Sequence, residues 1–377
     1  MDKLAFKRLG LTQFRNHGLS RFDFPTRVVG IVGPNGSGKT TVLDALHFIS
    51  VGKGLTAATD LAYLMDGEDF FRLECVAQQE GVEKKIVIKY RKGKGKVLEV
   101  DDSRLTKLVE HVGSFPVVSM IPQDIDLILS GSRERRRVMD LTFSQIDREY
   151  FESLVHYRKL MRQRNAFLKK ALKTGVVNWE LLKTYDRRIK PHADIIYAAR
   201  NEYCGELLRH FKFFYSDISG GSEKVEFTYL SQLHDAAYGD LSVRFSEKDR
   251  VMGRSHGGIH KDDLDFTLLN RKLRDVASQG QLKSTVLALK LASHKLIRNR
   301  TGIDPAFLLD DLFDRLDMDR ASNFLHTVKE HTTGQIFITD TNLERLTGAI
   351  SSMNEKFSIF SIRKGRVDDM IDEQKTR

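Results

Sequence analysis

The sequence predicts an α/β fold in which a sheet-built head is assembled from both ends of the chain and a helical arm is inserted between them. Three observations predict it. RVVGIV, ending at Val32, is a compact β-branched run of the kind buried in a parallel or mixed sheet, and it runs straight into the glycine-rich GPNGSGKT. From Arg133 to about Phe214 the pattern changes to long helices with charged faces. A second buried strand, AFLLDD from Ala306 to Asp311, then appears near the far end. A chain of 377 residues exceeds the ~250–300 at which one hydrophobic core stops growing, so two domains are expected. They are a head made of residues 1–130 and 217–377 and an arm or lid at 131–216.

Taken in order, Leu4 to Val32 reads as strands broken by turns. The segment Thr41 to Ile49 has helical spacing, with Val42, Leu43, Leu46 and Ile49 on its apolar side. FRLECVAQ and KKIVIKY alternate as antiparallel strands do, and KYRKGKGK, Lys89 to Lys96, reads as a hairpin tip with its cations in solvent. The helical segment is interrupted at Gly175 and at Pro191. Strand and helix-opening patterns resume from about Val225, and the chain shows no internal repeat or low-complexity tract.

Composition is that of an ordinary globular protein, with 41% hydrophobic and 30% charged residues. No apolar run reaches the ~18 residues needed to cross a bilayer and the N-terminus does not resemble a secretory signal, so no membrane association and a cytoplasmic location are expected. Two isolated cysteines, Cys75 and Cys204, support neither a disulfide framework nor a metal cluster and read as buried thiols. The net charge of +10 is uneven: Gly131 to Arg200 carries 17 Lys and Arg against 8 Asp and Glu. That excess suits a polyanionic partner, although a solvated helix face gives the same pattern.

Gly33-Pro34-Asn35-Gly36-Ser37-Gly38-Lys39-Thr40 matches the phosphate loop G-x-x-x-x-G-K-[ST] in its required place, after a strand and opening a helix. Backbone N–H groups freed by the glycines wrap a β-phosphate, Lys39 bridges β- and γ-oxygens, and the Thr40 hydroxyl ligates Mg²⁺; Thr41 adjoins the nucleotide set. ATP and Mg²⁺ are therefore the expected cofactors. Asp310, ending an apolar strand, fits the Mg²⁺-side acid of a Walker B motif. Asp311 falls where a general base or water-orienting carboxylate belongs, one methylene shorter than glutamate, which predicts slow hydrolysis.

A second anion-holding feature is ASQGQLKSTVLALKLA, Ala277 to Ala292, where Ser278, Gly280 and Gln281 open a strongly apolar helix. Ser278 also reads as that helix's N-cap. Because the chain's own phosphate loop already occupies one nucleotide's phosphates, the step fits the γ-phosphate of a partner subunit's ATP, as in ABC-type ATPases. Asp314-Arg315-Leu316-Asp317 stands where those enzymes carry a cross-dimer loop. Gln123, in IPQD, stands where their Mg²⁺-contacting glutamine lies, and is equally readable as a surface turn residue.

These motifs resemble the RecF family, of the SMC/Rad50-head-like branch of ABC-type P-loop ATPases, over essentially the whole chain. The marks, in order, are LGLTQFRNH, the phosphate loop, GKGLTAATD, GSRERRRVMD, GGIHKDDLDF, the SQGQ helix and FLLDDLFDRLD. The resemblance implies a weak ATPase that dimerises on ATP and binds double-stranded and gapped DNA. It further implies action with RecO and RecR to load RecA in gap repair, replication maintenance and SOS induction. Lys39 and Asp311 would be catalytic, and Thr40, Gln123 and Asp310 would hold the metal. The sequence departs from the family pattern at Arg315 and at GGIHKDD, and Ile338-Thr339-Asp340-Thr341 carries no switch histidine.

The cationic stretches Arg133, Arg135, Arg136, Arg137 and Arg158, Lys159, Arg162, Arg164 predict sequence-independent, salt-sensitive phosphate contacts. Two other classes share the ATP motifs. A transporter's nucleotide-binding subunit is opposed by the basic insert, and an SMC-like DNA tether by an insert too short and too poorly heptad-like for a long coiled coil.

Overall fold

The computed structural model describes residues 2–57, 59–221, 224–313 and 318–373. Its centre is a six-stranded sheet ordered Arg366–Glu373, Phe357–Arg363, Val28–Val32, Ile336–Asp340, Ala306–Leu309, Val117–Met120. Neighbours run parallel except for the edge hairpin Phe357–Arg363 with Arg366–Glu373. Two strands from the first third of the chain thus each lie beside a pair of strands from its last quarter. The phosphate-loop strand Val28–Val32 is buried along its whole length, as a strand covered on both faces must be.

Side-chain parity divides the core. Val29, Ile31, Leu308 and Phe337 face one apolar cluster, while Val28, Val32, Phe307 and Ile338 face another on the opposite side of the sheet. The first cluster is closed by helix α1 (Lys39–Val51) and by a second, antiparallel sheet ordered His17–Asp23, Ala5–Phe14, Phe70–Gln79, Val82–Arg91, Gly95–Val100, Ser103–Arg104. In the Phe70–Gln79 strand only alternate residues are buried, Phe71, Leu73, Cys75 and Ala77, which matches its one-sided packing. Wedged between two sheets, α1 is buried all round, not on one side only. Phe14 stacks on Tyr63, while Phe48 and Phe71 meet these rings and each other edge-on, and full burial of each such ring is worth about 1.5–3 kcal/mol.

The second cluster is closed by α2 (Ser132–Ile146), α3 (Arg148–Thr174), α4 (Trp179–Ser219) and α5 (Gln279–Thr301). Asp147 caps α3 by accepting from the Tyr150 N–H at 2.8 Å, and Gly175, at φ 73°, ends it. Pro191, expected to interrupt the helical segment, instead lies inside one continuous 41-residue helix. A proline there removes one backbone bond and crowds the preceding turn at a cost of about 3 kcal/mol. Burial of Ile189, Ala193 and Ile196 on either side of it holds both halves in the same core.

The hairpin at 89–96 also differs from expectation. Lys92 and Lys94 are exposed at its tip, but Lys89 pairs with Glu99 at 2.7 Å, and Lys96 pairs with Asp60 at 3.0 Å and lies over the Phe48 ring. Both cysteines are buried free thiols, and burial pushes both thiol pKa values up. Among the described residues no helix is long and apolar enough to cross a membrane.

Candidate nucleotide-binding site

The loop between Val32 and α1 turns back over the carboxyl end of the parallel sheet. Gly33 is required there by space, because a β-carbon would sit 2.3 Å from the Ile362 carbonyl oxygen and 2.7 Å from Ser37 Oγ. Gly38, at φ 113°, combines a left-handed backbone with a β-carbon position 2.4 Å from His17 Nε2. Pro34, Asn35 and Gly36 form the exposed crest of the loop, while Ser37, Gly38 and Lys39 are buried. The Lys39 ammonium donates to the Gly33 carbonyl at 2.9 Å and the Pro34 carbonyl at 3.3 Å, curling across the loop interior.

Asp310 is delivered from the neighbouring strand but one. Its N–H bonds to the Met120 carbonyl at 2.9 Å, and its carboxylate accepts from Thr40 Oγ1 at 2.9 and 3.0 Å and from Thr339 Oγ1 at 2.8 Å. Burial, with the nearby charges of Asp311 and Asp44, pushes the Asp310 pKa up to about 6 against the pull of the two threonine hydroxyls. Among the described residues no cationic side chain pairs with this carboxylate. Asp311 follows in a left-handed conformation, φ 43°, its N–H fixed by Thr339 Oγ1 at 2.8 Å.

The residues that grip the loop from outside carry no local sequence signal of that role. Asn16 donates to the Gly36 carbonyl at 3.1 Å and accepts from Thr41 Oγ1 at 3.1 Å, so the Thr41 hydroxyl is committed to Asn16. His17 Nε2 lies 3.1 Å from the Gly38 carbonyl, and burial lowers the His17 pKa. Arg15 reaches Asp44 on α1 at 3.2 Å and stacks on Tyr63. These three are consecutive in FRNH, the turn joining the first two long strands. On the far side the Asp340 carbonyl accepts from the Gly33 N–H at 3.3 Å, and its carboxylate is held by Arg345 at 2.8 and 2.5 Å. The arginine and the turn N–H groups keep that carboxyl below the usual range despite burial.

One orphaned atom tests the fit of a nucleotide. Ser37 Oγ is buried and has no hydrogen-bond partner among the described residues, although it sits inside the curl of the loop. A buried hydroxyl without a partner costs about 1–3 kcal/mol, and a phosphate oxygen would satisfy it. Together with Lys39, Thr40 and Asp310, these residues fit a nucleotide triphosphate and a hard divalent cation.

Gln123 is exposed on the turn Pro122–Ile125, three residues beyond the Met120 carbonyl that fixes Asp310. Asp124 anchors that turn by accepting from the Ile121 N–H at 2.8 Å and pairing with Lys290 of α5 at 2.9 Å. Ser278 is the N-cap of α5: Ser278 Oγ accepts from the Gln281 N–H at 3.2 Å and Gln281 Oε1 from the Ser278 N–H at 2.7 Å. Among the described residues no hydrogen bond joins Ser278 or Gly280 to residues 33–40. Gly280 lies in the first helical turn without a positive φ, so local backbone geometry does not require glycine there. Asp314, Arg315, Leu316 and Asp317 lie outside the described residues.

The cationic stretches divide sharply. Arg135 pairs with Asp263 at 2.6 and 3.0 Å and donates to two carbonyls; Arg164, 1% exposed, pairs with Asp186 and Asp249 at 2.8 and 2.7 Å. Both are structural and closed to an outside phosphate, contrary to the expectation for them. Arg133, Lys159 and Arg162 are exposed.

Comparison with known proteins gives a consistent result. The family model described as RecF/RecN/SMC N terminal domain matches residues 5–367. The "DNA replication and repair protein RecF" of Flavobacterium johnsoniae is 34% identical over 359 residues, 95% of this chain and all of that protein. Its namesake from Porphyromonas gingivalis is 35% identical over 368 residues, 97% of this chain and all of that one. A solved structure of the recombination mediator protein RecF with ATPrS, in the RecFOR pathway, superposes with a TM-score of 0.86 at 28% identity, covering 97% of this chain and 98% of the other. An Smc head domain from Pyrococcus furiosus shares the fold alone, with a TM-score of 0.55 at 14% identity over 99% and 97% of the two chains.

Proposed function

Because this chain belongs to the RecF family of DNA replication and repair proteins, we propose that it is an ATP-operated DNA-binding protein whose two copies close on each other around nucleotide. The observation that carries the reading is the junction of Thr40 and Asp310, which joins the phosphate loop to a buried carboxylate, in a loop whose Ser37 hydroxyl has no partner among the described residues. Residues Gly33 to Thr40, with Thr41 adjoining, would hold the ATP phosphates, and Thr40, Asp310 and Gln123 the Mg²⁺. Bound together, those groups supply a cleavable phosphoanhydride with its charge neutralised. Lys39 would exchange its carbonyl partners for phosphate oxygens, and Asp311 would orient water from its left-handed position. The short reach of aspartate keeps turnover slow.

Ser278, Gly280 and Gln281 complete the partner's site. Gly280 supports this role because its lack of a side chain has no local backbone reason and glycine costs a helix about 1 kcal/mol relative to alanine. The biological reading is a cytoplasmic protein that binds double-stranded and gapped DNA. It acts with RecO and RecR to load RecA in gap repair, replication maintenance and SOS induction. The test is retention of gapped, duplex and single-stranded DNA on a gel, each with and without ATP, by wild type and by Lys39→Met. The reading requires ATP-enhanced retention of gapped or duplex DNA that Lys39→Met loses; equal retention by both proteins would refute it.

A further inference from the structure

A recess of about 540 Å³ opens between the loop that follows α1, the first turns of α2, the middle of α3 and the turn at Ile259 and His260. Its volume lies within the roughly 300–1,000 Å³ range of small-ligand sites. Six cations line it: Lys53, Arg133, Arg136, Arg137, Arg158 and Arg200. Two of these are neutralised from within. Arg158 pairs with Asp140 at 2.5 Å, and Arg200 pairs with Asp140 at 2.8 Å and with Asp262 at 2.6 Å.

The remaining four are not. Arg136 donates to the main-chain carbonyl of Asp262 at 2.6 Å, and Arg137 donates to that of Leu55 at 2.7 Å. Among the described residues the one ion pair any of these four makes is Arg137 with Glu134 at 3.7 Å, while the charges of Asp263, Asp140 and Asp262 act on Arg136 without pairing with it. Carbonyl partners orient a guanidinium without cancelling its charge. Four like charges facing one partly dehydrated space repel, and an anion entering it removes that cost. Burial, and then the neighbouring Arg200, already lowers the Arg136 pKa.

The recess is tied to the nucleotide site by a rigid element. Lys39 begins α1, and Lys53 lies two residues beyond its end, a helix length of about 20 Å away. The loop carrying Lys53 is latched to the same helix by Asp44, which accepts from the Leu55 N–H at 2.7 Å, the Thr56 N–H at 3.2 Å and Thr56 Oγ1 at 2.9 Å.

We infer that this recess is a second phosphate site, which takes a phosphate group of a DNA strand through Lys53, Arg133, Arg136 and Arg137. The inference rests on the proposed DNA-binding function and assigns a place to it. A recess, unlike a flat basic face, admits one phosphate at a time, from the backbone or from a strand end.

The test compares wild type with the double variant Lys53→Gln/Arg133→Gln, whose lost side chains are exposed and hold no structural ion pair. The control is Lys92→Gln/Lys94→Gln, an equal charge change at the exposed tip of the 89–96 hairpin. Duplex affinity is measured with ATP across a salt series, on closed circular DNA and on linear DNA with phosphorylated or hydroxyl ends. The recess variant is expected to bind on the order of tenfold more weakly, with its log–log salt slope flattened by about one unit, while the control stays within about twofold of wild type. Loss on circular DNA assigns a backbone phosphate; loss confined to phosphorylated ends assigns the strand terminus. A recess variant that binds like wild type, or a control equally impaired, overturns the site while leaving DNA binding intact. Wild type that retains no DNA overturns both readings.

Discussion

Thr40 donates its hydroxyl to both carboxylate oxygens of Asp310, at 2.9 and 3.0 Å, across 270 residues of sequence. The bond fixes the mouth of the candidate nucleotide site, and among the described residues no cationic side chain pairs with the buried carboxylate. Asp310→Asn keeps an acceptor for both threonines and removes that charge. The nucleotide-free variant is therefore expected to be more stable than wild type at neutral pH by roughly 1–3 kcal/mol. It is also expected to lose the further rise in melting temperature that Mg²⁺ and ATP together produce in wild type. Thermal unfolding with and without the ligands reads both effects.

Asn16 clasps the loop crest through Gly36 and the start of α1 through Thr41. Removing two bonds worth about 1 kcal/mol each should loosen the loop more than the fold. Asn16→Ala is expected to raise the Kd for ATP about tenfold, measured by titration with a fluorescent nucleotide. Unchanged affinity would show that the clasp does not order the site.

Arg164 stands between Asp186 and Asp249, both nearly buried. Arg164→Met strands two carboxylates, and urea unfolding should register a loss of about 3–5 kcal/mol. Arg133→Met, at an exposed position in the first turn of α2, should move stability by less than about 0.5 kcal/mol.

His47, on α1, has its pKa lowered to about 3 from an ordinary 6.5, because burial strips water from the imidazolium. Lys53, Arg137 and Lys290 add to the opposition, against the favourable hydrogen bond to the Lys53 carbonyl. The folded chain refuses a proton that the unfolded chain accepts below pH 6.5. This contribution is therefore full above that pH and falls as the solution is acidified, by about 1.4 kcal/mol per unit until pH nears 3. His260, lowered to about 4 mainly by burial, acts in the same direction. His47→Asn should flatten the pH dependence of urea stability over this window by about that slope, and an unaltered slope would contradict the assignment.

Much of this was legible because short-range chemistry announces itself. Gly33 to Thr40 between a β-branched strand and a helix, and Leu309 followed by two aspartates, are spacings that phosphate and metal chemistry impose on adjacent residues. The charge run was not legible in the same way. Arg133 and Arg135 differ by two positions on one helix, and only the approach of Asp263, over a hundred residues away, makes the second structural. FRNH was visible as a family mark, but nothing local says that a strand turn reaches the underside of a loop some twenty residues later. Pro191 misled because a helix-breaking preference of about 3 kcal/mol is smaller than the burial of the residues around it.

Closure of two copies over ATP is the step on which the proposed function turns. Light scattering should give the monomer mass for wild type alone and twice that mass with ATP. Gly280→Glu, which sets bulk and negative charge at the tip of α5, should bind ATP as wild type does and remain a monomer. A Gly280→Glu protein that doubles its mass with ATP as wild type does would contradict it.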